Sequence, residues 1–364
     1  MLAYYILVFA PLLYLSIGYS FPALDKRKVD KQAILLFFVI YASLLALRHE
    51  TVGTDTDAYV RIFYELRSLP FMKAVNFTES EQGYYFVVKV ISMFTSNSQI
   101  FIAVFALMTI IPIAWFYVKN VENAPIAMVL FLLMPDFLMF FSGFRQSVAI
   151  AIGVFSYFFV KKKKPILFIA TVFLAMLFHT SSVVLFLMYP IYYLKLERKN
   201  AWLVIPVIGT MYVFNKQIFM FLLQFMDDKY GERYSDFEGS GAVTMLILFV
   251  LFAVYAFIAA EEDKLDTEDR GLRNLLLVSV CFQLFVPLNQ IAMRMNYYYL
   301  IFLPIFMSKA VRRYRECDKK IVWYVVAGMC LFFYFYYLRK ANGAVGTTLS
   351  LEVYPYIPFW QQTF

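Results

Sequence analysis

The sequence predicts an all-α fold: a polytopic transmembrane helix bundle, forming a single integral membrane domain over 1–364. Three observations carry this. Hydrophobic residues make up 62% of the 364 positions and charged residues only 16%, too little polar surface for a soluble fold of this size. The apolar residues fall into about 12 segments of roughly helical spanning length. Lys and Arg collect in alternate connections between those segments, as cytoplasmic loops do.

In chain order, segment 2–20 begins MLAYYILVFAPLLYL, with no basic n-region and no small-residue cleavage site, and reads as an uncleaved span. Lys26, Arg27, Lys28 and Lys31 follow it, then a second segment at 32–47. The polar stretch 48–98 is expected outside, with structure of its own. A short helix over 57–68 would be capped by Asp55 or Thr56, and an apolar stretch at 83–94, too short to span, would lie in the interface or re-enter. Segments 99–118, 124–141 and 146–160 come next, with Lys119 after the first and Lys161 to Lys164 after the third.

The run 165–194 is almost wholly apolar and has basic clusters at both ends, so a single span would leave one cluster outside. Two short spans, 165–178 and 180–194, turning at His179-Thr180-Ser181-Ser182, keep both inside. Such paired short helices require protein or a wet cavity over their exposed backbone ends. Segments 201–223, 243–260, 272–291, 296–308 and 320–338 complete the set. They are separated by an acidic outer loop at 226–242 and by basic connections holding Lys264, Arg270, Arg273 and Lys309, Arg312, Arg313, Arg315, Lys319 and Lys320. With Lys195, Arg198 and Lys199, the basic connections contain 21 of the 33 Lys and Arg residues. Both termini are therefore expected outside, including the tail 339–364.

Several function classes lack support. The net charge of +8 is mostly loop-borne and follows from topology, so no nucleic-acid partner is implied. Cys281, Cys317 and Cys330 are scattered and suggest neither a disulfide framework nor a thiolate metal site. There is no GxxxxGK[ST] loop, no GxGxxG after a strand and no HExxH; nothing calls for a cofactor.

The polar residues that map to the outer boundary are Arg48, Asp55, Asp57, Glu81, Arg145 with Gln146, His179, Arg233 and Arg294. An ionisable group at bilayer depth is expensive and usually faces a partner, a ligand or water. A guanidinium fork matches phosphate oxygens, so an arginine cluster implies an anionic ligand: at a membrane surface, a lipid diphosphate or a phospholipid headgroup. His179, one of two histidines, can take a proton from an attacking hydroxyl. Plainer readings stand beside these: snorkelling or carboxylate pairing for the arginines, a carbonyl-bonded imidazole for His179, a helix cap for Asp55. Asp55 and Asp57 are close enough in sequence to share a divalent ion with a diphosphate, although no metal site is assigned.

Arg48 followed by Val52-Gly53-Thr54-Asp55-Thr56-Asp57 and Tyr59, then Phe144-Arg145-Gln146 with Ala149 and Ala151, then Ala175 to Phe178-His179-Thr180-Ser181, together resemble the EpsG family of bacterial membrane proteins. That family is associated with exopolysaccharide and O-antigen assembly and is similar to Wzy-type repeat-unit polymerases. The resemblance implies a GT-C-like membrane architecture and metal-independent glycosyl transfer at the outer face of the cytoplasmic (inner) membrane. An undecaprenyl-diphosphate-linked oligosaccharide would be donor and a second one acceptor, with a polysaccharide chain-length regulator and a flippase as partners. Arg145, Arg294, Arg48 and Arg233 would bind diphosphate. His179 would be the base, with Asp55 or Glu81 as rival bases or orienting partners, and Gln146, Asp57 and Tyr59 would position substrate. The rival classes are a lipid-linked oligosaccharide flippase, expected to have pseudo-symmetric halves, a membrane acyltransferase with a cytoplasmic acyl donor, and a structural subunit of an assembly complex.

Overall fold

The apolar segments become helices, because backbone groups in lipid must find their hydrogen bonds within the segment. The computed structural model describes residues 2–223, 242–258, 265–313, 328, 353 and 355–361, and no strand occurs among them. The chain divides into two compact units, Met1–Val183 with Cys317–Phe364, and Val184–Glu316.

In the first unit, α1 (Leu2–Ser20), α2 (Lys26–Ala46) and α6 (Ser98–Asn120) are each long and apolar enough to cross a membrane. The Asp25 side chain accepts from the Arg27 N–H at the start of α2, and Asn97 does the same for Gln99 at the start of α6. The segment expected as one span at 124–141 is broken into α7 (Ala124–Leu133) and α8 (Pro135–Ser142), which meet at 59°. Met134 is extended, as a residue before proline tends to be. α9 (Phe144–Lys161) and α10 (Pro165–Met176) follow, and α1 packs on α2, α2 on α6, α6 on α9 and α9 on α10. Edge-to-face rings lock the interior, among them Phe38 on Phe131 at 5.2 Å.

The connection after α2 folds as α3 (Thr56–Ser68), α4 (Phe71–Val75) and α5 (Gln82–Phe94); α3 begins one residue before the short helix expected at 57–68, and the apolar stretch at 83–94 is helical. α9 runs for 18 residues, about 27 Å, from the Phe144-Arg145 end to Lys161, and α10 returns. Lys161 to Lys164 thus lie at one end of this pair, and Arg145 and His179 at the other. The C-terminal segment comes back to the latter end. His49 N–H donates to Ile357 O at 2.8 Å and Phe359 N–H to Leu47 O at 2.9 Å, an antiparallel bridge between Arg48 and Pro358. The Tyr4 hydroxyl donates to Val353 O at 2.8 Å.

The apolar run after α10 breaks where its polar residues fall: α10 stops at Met176, and a 3-10 turn (Thr180–Leu187) leads to α11 (Met188–Tyr192). The second unit continues with a 3-10 turn at Arg198–Leu203, then α12 (Val204–Val213) and α13 (Asn215–Leu223). Its remaining helices are α14 (Ala242–Ile258), α15 (Thr267–Gln283), α16 (Gln290–Leu300) and α17 (Leu303–Arg313). The expected spans 201–223 and 296–308 are each divided, the first by a 77° bend. Buried polar groups here serve structure. The Arg273 guanidinium donates to Leu196 O and lies 4.1 Å from the Phe257 ring, and Lys309 pairs with Glu268 at 2.7 Å.

By length and apolarity the described residues hold three spans, or up to five when each bent pair counts as one, against about 12 expected. Among the described residues the difference is one of length: apolar helices such as Pro165–Met176 stop well below the about 20 residues a bilayer needs. The loop 226–242 and the span 320–338 fall outside the described residues, apart from Ala242 and Gly328.

Candidate functional site

Two close backbone approaches build the site. In Val52-Gly53-Thr54-Asp55-Thr56, Gly53 has φ +99°, and a Cβ there would lie 2.2 Å from Phe141 O, so only glycine fits. Thr54 N–H donates to Ser142 Oγ at 3.1 Å, and Thr56 Oγ1 lies 3.1 Å from Phe141 O. The loop is thereby fastened to the end of α8, immediately before Phe144 and Arg145. From that anchor α3 carries Tyr59 onto Phe144, ring stacked on ring at 4.7 Å. The buried Lys89 ammonium of α5 donates to the carbonyls of Leu66, Arg67 and Leu69 at 3.1, 3.1 and 2.7 Å, capping α3 and fixing α5 against it.

The second approach joins α5 to α10. Gly83 N–H donates to Leu177 O at 2.9 Å, and Tyr84 N–H, bonded to Glu81 O at 3.0 Å, also reaches Leu177 O at 3.3 Å, so an amide at the start of one helix meets a carbonyl at the end of the other. A Cβ on Gly83 would lie 2.8 Å from Leu177 Cβ. Just before it Glu81 is left-handed, at φ 61° and ψ 34°, a conformation that costs about 1–2 kcal/mol outside glycine. That turn aims its carboxylate at the end of α10.

Three groups from distant parts of the chain converge as a result. Glu81 Oε1 accepts from His179 Nδ1 at 2.5 Å and from Thr180 N–H at 3.3 Å, while Oε2 accepts from the Arg145 guanidinium. Arg145 also lies 5.8 Å from the ring centres of both Tyr59 and Tyr84. The Glu81 side chain is 6% exposed, His179 13% and Arg145 35%, so the carboxylate is the most deeply buried of the three and the guanidinium the most open. Burial raises the Glu81 carboxyl, but the hydrogen bond from His179 and the charges of His179 and Arg145 outweigh it and hold the group below its ordinary value. Glu81 therefore stays ionised. It binds His179 through Nδ1–H, which leaves Nε2 as the lone-pair side of the ring. Beside them, the Tyr84 hydroxyl and Arg145 Nε are buried without a hydrogen-bond partner among the described residues.

The other expected site residues are placed differently. Arg48 is 1% exposed; its guanidinium donates to Leu45 O at 2.7 Å and packs against the Phe141 and Phe144 rings at 5.6 and 5.1 Å. Protein, not solvent, surrounds it. Asp55 is the exposed N-cap residue of α3 but makes no side-chain cap bond, and Asp57 is exposed and paired with Arg61 at 2.9 Å. Among the described residues no three His, Cys, Asp or Glu side chains gather as a metal site. Gln146 is buried in the first turn of α9. Arg294 belongs to the second unit, half-buried on α16, and Arg233 lies outside the described residues. Sequence reasoning missed Gly83, Tyr84 and Lys89 as site builders. Glycine directly after Glu81-Gln82 at a helix start, where few residues need its freedom, was the available signal.

No curated protein and no solved structure matches the chain. The EpsG family model matches residues 31–357, a stretch that includes α3, α5 and all three converging groups. Matched over nearly its whole length, the chain belongs to the EpsG family, which points to polysaccharide assembly at a membrane.

Proposed function

We propose that the protein is a membrane glycosyltransferase that joins lipid-diphosphate-linked oligosaccharide repeat units, the lipid being undecaprenyl, at the outer face of the cytoplasmic membrane. The observation that carries this is the Glu81 carboxylate held between the Arg145 guanidinium and the His179 imidazole. Family membership supports the polysaccharide context. The outward orientation is supported by Lys161 to Lys164 at the far end of α9 and α10, since basic loops stay cytoplasmic.

In the reaction, a hydroxyl oxygen of the acceptor sugar attacks the anomeric carbon of the donor. The new carbon–oxygen bond forms as the bond to the diphosphate breaks, and the bonding pair leaves on the lipid diphosphate. His179 Nε2 takes the hydroxyl proton, and Glu81 stabilises the imidazolium through Nδ1. Arg145, with one edge on Glu81, offers its remaining N–H groups to the charge growing on the diphosphate. Diphosphate is a good leaving group, so charge stabilisation matters more than acid catalysis.

The test is incubation of the purified protein in liposomes with one defined lipid-diphosphate oligosaccharide, read as a ladder of products on a gel. A ladder from the wild type that vanishes in His179→Gln, at equal protein level, supports the proposal. Flipping of the substrate across the bilayer with no new linkage would replace it by a transporter.

A further inference from the structure

Helix α5 is built inside out for a helix in water. Its buried side mixes Val88 with Tyr84, Tyr85, Lys89 and Ser92, and the Lys89 ammonium is spent on carbonyls of α3. Its outward stripe, Phe86, Val90, Met93 and Phe94, follows helical spacing and is apolar throughout, with Phe94 86% and Met93 64% exposed. Phe71 of α4 stands edge-on to Phe86 at 5.9 Å, with Met72 exposed beside it, which widens the apolar face. α3, packed on the same helix, has the opposite character: Asp57, Arg61, Glu65 and Arg67 are all exposed. The pair thus presents one charged face and one apolar face, as a monotopic element at an interface does.

Continuity with the apolar helix α10 and with the spanning helix α6 points to what covers the apolar face. The stripe begins where Gly83 meets Leu177, and Leu177 ends an exposed apolar row on α10 that includes Phe173 and Leu174. It ends at Phe94, four residues before Ser98 opens the apolar span α6. We propose that the outward face of α5, with Phe71 and Met72, is immersed in the lipid leaflet at the site's end of the bundle. The charged face of α3 meets the water, and Glu81, Tyr84 and Arg145 stand at headgroup depth. Resting on the transferase reading, this has a consequence for substrate: a lipid diphosphate reaches Arg145 sideways from the leaflet, without its chain leaving the bilayer.

The experiment uses full-length protein in phospholipid liposomes, with Cys281, Cys317 and Cys330 changed to serine. Nitroxide labels are placed singly at Phe86→Cys, Met93→Cys or Phe94→Cys, and for comparison at Arg61→Cys or Glu65→Cys. Collision with oxygen, which concentrates in lipid, is compared with collision with a nickel chelate, which stays in water. The oxygen-to-nickel ratio should be several-fold higher at 86, 93 and 94 than at 61 and 65. Equal ratios would overturn the placement. So would exclusion of both reagents at 86, 93 and 94, which would mean that a second copy or another protein covers the face. Labels in lipid on a protein that transfers no sugar would sink the transferase reading and keep the placement; labels in water on an active protein would do the reverse.

Discussion

Replacing Glu81 by glutamine keeps volume and shape and removes one charge, which isolates what the carboxylate does. Its two oxygens serve two donors, His179 Nδ1 at 2.5 Å and the Arg145 guanidinium, and each oxygen can only accept. An amide has one such oxygen. If it faces Arg145, the NH2 faces His179 and turns Nδ1 into the acceptor, which moves the ring proton to Nε2 and disables the base. If it faces His179, two N–H groups confront each other at Arg145. General-base assistance contributes about 10²–10⁴ in rate, so the variant should lose at least about 10²-fold in kcat, or about 2.7 kcal/mol of barrier. Breaking a fully buried ion pair costs about 3–5 kcal/mol; with the Arg145 side chain 35% exposed and able to regain water, about 1–2 kcal/mol of stability is the expected loss. The assay is initial-rate transfer with a defined lipid-diphosphate oligosaccharide, beside thermal unfolding of the same preparation in detergent. A variant within threefold of wild type in kcat, while His179→Gln is inactive, would refute the orienting role.

Arg145→Lys keeps the charge and loses the fork; transfer should fall about 10²-fold with protein level unchanged, and near-normal rates would mean that no bidentate contact to diphosphate is made. Gly83→Ala places a Cβ 2.8 Å from Leu177 Cβ and must push α5 off α10, so unfolding should occur with about 1–3 kcal/mol less stability and transfer should drop with it. Unchanged melting and rate would show that the two helices are not held so closely. The depressed Glu81 carboxyl fixes the sign of an acid effect: its contribution to stability is complete above the ordinary carboxylate range and is lost as pH falls through the lower folded value. The melting difference between wild type and Glu81→Gln should therefore be full near neutral pH and shrink in acid below the ordinary range; a difference that persists there contradicts the assignment.

The helices were legible where composition alone decides. α3 and α5 follow from a polar-apolar rhythm bounded by Asp55 and by the Asn97 cap of the next span. The break between α7 and α8 was written in Met134-Pro135, yet an unbroken apolar count concealed it. Of the site, Arg145, Glu81 and His179 stood out as costly polar groups near apolar runs. Their meeting did not, because Glu81 and His179 are 98 residues apart and are joined by the Leu177 carbonyl and the left-handed turn at Glu81. Arg48 shows the opposite failure. A guanidinium beside a span reads as a ligand contact, while the return of Pro358 to its backbone, from 310 residues away, and two aromatic rings against it are invisible in sequence.

The claim that Glu81 acts through His179 is tested most directly by a double-mutant cycle on the transfer rate. If the two form one device, Glu81→Gln combined with His179→Gln should be no slower than His179→Gln alone, since a lost base has nothing left to orient. Losses that multiply, each variant slowing the other's background by its full factor, would contradict a shared role and separate the two residues.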